Sequence, residues 1–154
     1  MAASLNYRRV VAASLTCVLA LLAAAAGASG PLAVEGWYTK ADAKHTVLEI
    51  RAEEGGYLVR LVGGAPVGAA AASPADCYIQ AQGRLIDGRI LARFAPFRND
   101  VFDFDAAAAQ RETRYIELAF PTGRAEVTRV DVAGYCAPGS QFLGDYIRTM
   151  DQPR

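Results

Sequence analysis

His45 is the only histidine in the chain, and Cys17, Cys77 and Cys136 are its three cysteines. A metal site must therefore be assembled from these few groups and the carboxylates. A zinc site needs several convergent nitrogen and sulfur ligands, and one histidine beside two distant cysteines does not supply them. As the base of a nucleophilic triad, His45 would need a serine on a sharp strand-to-helix elbow, but the sequence contains no Gly-x-Ser-x-Gly. It stands in the polar stretch 41–45 and reads as an exposed turn histidine. Asp103 and Asp105 are two apart, but Ala107 and Ala108 follow where a calcium loop needs further oxygen ligands and a glycine. Glu53-Glu54 precedes Gly55-Gly56, so this acidic pair is the solvated tip of a turn. No Gly-x-Gly-x-x-Gly and no Walker-type loop occurs. The residues point to no catalytic site, no metal and no cofactor, and the expectation is a binding protein rather than an enzyme.

Two loops carry residue types suited to binding. Residues 95–104, Ala-Pro-Phe-Arg-Asn-Asp-Val-Phe-Asp-Phe, mix three phenylalanines with Arg98, Asn99 and acids. Aromatic residues and arginine are enriched at protein interfaces, which nominates Phe97, Arg98 and Asn99 as partner contacts. The competing reading is that Phe102 and Phe104 merely cover one end of the core. Residues 137–141 follow Cys136 directly, so a disulfide there would preorganise Ser140 and Gln141 for binding, where otherwise they form a plain turn.

The elements that position these loops read as strands. Leu48 and Ile50 alternate with Glu49 and Arg51, and a turn at 53–56 leads into 57–62, which gives a hairpin. Cys77, Ile79, Ala81, Gly83 and Leu85 share a face, Asp87-Gly88 tolerates the positive φ of a two-residue turn, and Ile90, Ala92 and Phe94 return. A third hairpin runs 113–120, turns at 121–123 and returns through 131. Gly36-Trp37-Tyr38-Thr39-Lys40 and Gly144-Asp145-Tyr146-Ile147-Arg148 repeat a Gly-x-Tyr-x-basic pattern at the two ends of this set, and are expected to lie close together. Two stretches break the alternation. Residues 63–75 are uncharged and rich in glycine, alanine and proline, as a long loop would be. Asp105 followed by four alanines suggests a capped helical turn or two over 105–112. The fold class is all-β: about eight short antiparallel strands in a small barrel or strongly curled sheet.

The N-terminus reads as an address. Residues 1–28 hold Arg8 and Arg9, no acid, an apolar run from Val10, and the small residues Ala26-Gly27-Ala28 that a signal peptidase accepts. Cleavage is placed after Ala28, leaving a single domain over 29–154. The competing reading is an uncleaved anchor over 10–28, since about 18 to 20 residues span a bilayer; alanine-rich composition argues against it. Lipidation at Cys17 is disfavoured because that cysteine lies inside the apolar run. Without Cys17 the domain keeps an even cysteine count, which in a periplasmic or extracellular compartment implies a Cys77–Cys136 disulfide. A redox-active pair would instead sit two residues apart. The whole chain carries sixteen basic and sixteen acidic residues, so no strongly basic surface advertises nucleic acid as a partner. The abundance of alanine, with Lys40 and Lys44 as the only lysines, reads as a GC-rich bacterial genome.

A signal peptide, about eight short strands, one disulfide and Gly36-Trp37-Tyr38 at the first strand together resemble the small periplasmic lysozyme inhibitors and, more loosely, lipocalin-like barrels. Tyr135-Cys136 and Gly139-Ser140 approximate, without a spacer and in reversed order, the Tyr-x-Cys strand and Ser-Gly loop of inhibitors of c-type lysozyme. The inhibitor resemblance implies a loop inserted into a hydrolase cleft, with Ser140 or Arg98 meeting the enzyme's carboxylates. The lipocalin resemblance implies a carrier of a small apolar ligand in a cavity lined by Trp37, Tyr57 and Phe94. A structural component of the envelope is a third expectation.

Overall fold

The structure is a computed structural model that describes residues 33–63, 77–98, 102–136 and 139–150, apart from the side chain of Lys44. Residues 1–28, expected from the sequence to direct export, nearly all of the stretch 63–75, expected to be a long loop, and Asn99 lie outside the described residues. Among the described residues ten strands and one helix follow in order: β1 Gly36–Lys40, β2 Ala43–Glu53, β3 Gly56–Gly63, β4 Cys77–Ile86, β5 Arg89–Phe94, β6 Phe97–Arg98, β7 Asp103–Phe104, α1 Ala106–Arg111, β8 Tyr115–Ala119, β9 Arg124–Val130 and β10 Gly144–Thr149. Eight of them form a closed antiparallel barrel in the order β1-β10-β9-β8-β5-β4-β3-β2, while β6 and β7 pair as a separate ribbon.

Alternation builds the barrel. Leu48, Ile50, Val59, Leu61, Ile79, Ala81, Ile90, Ala92, Ile116 and Leu118 all point inward and are buried. Their neighbours Arg51, Gln82, Arg89 and Arg93 are exposed. The first and last strands close the ring, with Tyr38 opposite Arg148 and Lys40 opposite Tyr146, so the repeated Gly-x-Tyr-x-basic segments are the seam. Closure removes the open edges that an isolated sheet would expose to other chains.

The two ends differ in their connections. At one end lie short turns, including Asp87 (φ 50°) and Gly88 (φ 73°), the paired positive φ values of a type I′ hairpin. At the other end lie the β1–β2 turn and the strand ends that the three long connections, β3–β4, β5–β8 and β9–β10, join. Helix α1 sits in the β5–β8 connection, and the Asp105 side chain accepts the Ala108 N–H at 2.6 Å as its N-cap.

Two expectations are corrected. His45 is exposed but lies inside β2, not in a loop, because the strand begins at Ala43 beside Lys40 of β1. Residues 97–98 and 103–104 are not loop either: Arg98 pairs with Asp103 across the β6–β7 ribbon, which turns Phe97 and Phe104 onto the end of the core.

Candidate functional site

The β9–β10 connection, described over residues 131–136 and 139–143, lies at the barrel mouth and is fastened near both of its ends. Its first turn is held by Arg114, which donates to the carbonyls of Asp131 (3.2 Å) and Ala133 (2.9 Å) and to the Glu112 carboxylate (2.8 Å). The same guanidinium lies 4.8 Å above the Tyr135 ring, a cation–π contact. Tyr135 packs edge-on against Phe104 at 5.3 Å and Phe97 at 6.1 Å, and its hydroxyl donates to Glu112 at 3.1 Å. Cys136 is bonded to Cys77, the first residue of β4, so the connection is covalently tied to the opposite wall. Phe142 then drops into the mouth and is buried; a Cβ added to Gly63 would lie 3.1 Å from its ring. Tyr146 donates from its hydroxyl to the Phe142 carbonyl at 2.8 Å as the chain enters β10.

Hydrogen bonding from Arg114 and then from Tyr135 holds the Glu112 carboxyl below its ordinary pKa. Burial, followed by the bond to Glu112, pushes the Tyr135 phenol up. Burial pushes Tyr146 up further, with the charge of Asp42 adding to it. Tyr146 therefore stays a neutral donor throughout the ordinary pH range.

Two adjoining cavities flank this connection. One, of about 380 Å³, is lined by Lys40, Asp42, Ser140, Gln141, Phe142 and Leu143, together with Val130 and Val132. The other, of about 680 Å³, shares Val130, Val132 and Ser140 and extends past Arg114, Arg129 and Cys136. Lys40 is almost wholly buried and forms an ion pair with the exposed Asp42, whose carboxyl that hydrogen bond holds below its ordinary pKa. Leu143 stands on the rim with 56% of its surface exposed. Among the described residues no three His, Cys, Asp or Glu side chains gather as a metal-holding set. Nor is any helix among them long and apolar enough to cross a membrane.

The residues singled out from sequence fall into separate places. Ser140 and Gln141 share one cavity wall. Arg98 is 81% exposed and paired with Asp103 at 2.8 Å on the β6–β7 ribbon, and it lines neither of these cavities. Phe97 is a core residue, stacked on Phe104 at 5.5 Å, so it offers a partner almost no surface. Trp37, Tyr57 and Phe94 do not meet in one cavity. Strand alternation puts Tyr38 inside and Trp37 on the outer face, Tyr57 lines a shallow groove of about 230 Å³ at the short-turn end, and Phe94 packs at the opposite end against Phe97 and Phe104.

Sequence reasoning passed over Lys40, Asp42, Phe142 and Leu143. The available signal was the apolar pair Phe142-Leu143 placed six residues after a tethered cysteine, where a free polar loop would carry neither. The chain matches no protein-family model, no curated protein and no solved structure.

Proposed function

We propose that this protein is an exported, non-enzymatic binding protein of the bacterial envelope, and that it engages a partner protein through the long-connection end of its barrel. The observation that carries this reading is the 131–143 connection held across the mouth by a disulfide, an aromatic cluster and the Tyr146–Phe142 bond. A loop fixed in this way loses little conformational entropy on binding, so more of its contact energy appears as affinity. The apolar segment 10–26 and the Cys77–Cys136 bond both suit an oxidising compartment outside the cytoplasm.

The most concrete form of the reading is an inhibitor of a cell-wall-lytic hydrolase of the lysozyme type, with Ser140, Gln141 and Leu143 presented to the enzyme. A carrier of an apolar small molecule is less well supported, because inward positions on all eight barrel strands are filled by packed side chains such as Tyr38, Leu48, Ile79 and Tyr146. The test is titration of the oxidised protein into cell-wall lysis by c-type, g-type and i-type lysozymes. Stoichiometric loss of lysis with one class supports the reading. Undiminished lysis by all three removes the inhibitor assignment.

A further inference from the structure

The same corner is built at both ends of the barrel. Val34-Glu35-Gly36-Trp37-Tyr38-Thr39-Lys40 and Phe142-Leu143-Gly144-Asp145-Tyr146-Ile147-Arg148 match in register, with an apolar residue, then a glycine, then an inward tyrosine, then a basic residue. Tyr38 donates to the Val34 carbonyl and Tyr146 to the Phe142 carbonyl, each at 2.8 Å. Val34, which precedes β1 at the short-turn end, and Phe142, which precedes β10 at the mouth, are both buried. Each plugs its end of the barrel.

The antiparallel seam sets each basic residue beside the other corner, Arg148 opposite Tyr38 and Lys40 opposite Tyr146. There the likeness stops. Arg148 donates to the Ala33 carbonyl at 3.2 Å and to the Glu35 carbonyl, and so straddles Val34. It also closes over Gly36, where an added Cβ would lie 3.0 Å from its Nε. Lys40, its counterpart, turns its ammonium to Asp42 instead. An added Cβ on Gly144 would meet nothing within 4 Å. The clamp that fastens Val34 therefore has no equivalent at Phe142.

The closed mouth also leaves a polar group unsatisfied. A Cβ on Gly63 would lie 3.1 Å from the Phe142 ring and 2.9 Å from the Thr46 side chain, which places Thr46 beside the plug. The Thr46 hydroxyl is buried with no hydrogen-bond partner among the described residues. Such a hydroxyl has given up its water without a replacement, which disfavours the state that buries it. Lys40, almost wholly buried, lines the same cavity wall as Phe142.

We infer that Phe142 is a releasable plug: the protein exchanges between this closed mouth and a less populated open one, in which Phe142 pivots out at Gly144 and stands beside Leu143 as an apolar contact for a partner protein. The Tyr146 hydroxyl is the latch, water reaches Thr46 in the open state, and Val34 is the fixed counterpart at the other end. The inference deepens the partner-binding reading and rests on it only for what uses the open state.

The experiment places para-fluorophenylalanine at position 142 of the oxidised full chain and follows it by fluorine NMR relaxation dispersion, which reads microsecond-to-millisecond exchange. The Val34 methyl groups are the internal reference. The Phe142 signal should exchange with a minor state at the shift of a solvent-exposed ring, while Val34 shows no exchange. One net hydrogen bond changes such a population about fivefold, so Tyr146→Phe should raise the open fraction by about that factor. Thr46→Val removes the unsatisfied hydroxyl from the closed state and should lower the open fraction by about fivefold or more. Three results overturn the inference: no exchange at Phe142 in the wild type, Val34 exchanging in step with Phe142, or the two variants moving the open fraction in the same direction. The first two are read on the wild-type sequence, so the outcome does not depend on a variant folding. Failure to inhibit any lysozyme leaves these readouts unaffected, so the two readings fail separately.

Discussion

Replacing Phe104 with alanine tests whether the β6–β7 ribbon is part of the core or a loop laid on the surface. The Phe104 side chain is wholly buried, with ring centroids 5.7 Å from Phe94, 5.5 Å from Phe97 and 5.3 Å from Tyr135. Truncating a buried phenylalanine to alanine costs about 3–5 kcal/mol, from lost transfer energy and the cavity left behind. Three aromatic contacts, each contributing roughly 0.5–1.5 kcal/mol beyond buried area, place this site towards the upper half of that range. For a domain of this size 1 kcal/mol moves the melting temperature by roughly 3–5 °C, so a loss of about 4 kcal/mol lowers it by some 12–20 °C. Urea unfolding followed by the fluorescence of Trp37, the only tryptophan, reads the change directly, with calorimetry as a check. Phe102→Ala is the control, since Phe102 is 37% exposed and its loss should cost less than about 1 kcal/mol. A Phe104→Ala protein within about 0.5 kcal/mol of wild type would refute the reasoning, because only a surface side chain can be removed so cheaply.

Three further outcomes follow from the same geometry. Replacing Cys77 and Cys136 with alanine opens a link across 59 residues and should lower stability by about 4 kcal/mol in the chain-entropy model; an unchanged urea midpoint would contradict this. Tyr146 has its pKa raised by burial, so above about pH 10 the unfolded chain loses a proton that the folded chain keeps, and stability is full below that pH and falls above it. Tyr146→Phe should flatten that alkaline decline in urea midpoints and should also lower stability at neutral pH, through loss of the bond to Phe142. Asp42→Asn strips the buried Lys40 ammonium of its carboxylate and should destabilise the protein more than Lys40→Met, with the double variant matching Lys40→Met alone. A double variant that loses the sum of the two single effects would show that the pair is not coupled.

How much of this was legible in the sequence depended on how local its cause was. The hairpin through Asp87-Gly88 was readable because alternation over 77–94 and a two-residue turn are properties of adjacent residues. The Asp105 cap was readable for the same reason. The matching Gly-x-Tyr-x-basic segments foretold the β1–β10 seam, since both present an inward tyrosine and a basic residue at the rim. The β6–β7 ribbon was not readable, because two-residue strands carry no period and only packing on Phe94 turns Phe97 and Phe104 inward. Lys40 was hidden too, since its burial depends on Phe142 and Tyr146 arriving from the far end of the chain.

The proposed role of the long-connection end is to bind a protein partner. Its most direct test is complex formation, by size exclusion and calorimetric titration, between lysozymes of the three types and the oxidised protein carrying either Leu143→Glu or Ile86→Glu. Leu143 stands on the rim of the mouth cavity with 56% of its surface exposed, while Ile86 is 64% exposed beside the Asp87-Gly88 turn at the other end. A one-to-one wild-type complex weakened at least about tenfold by Leu143→Glu, and left intact by Ile86→Glu, is the expected result. No complex with any class, or a complex that the two variants affect alike, would contradict it.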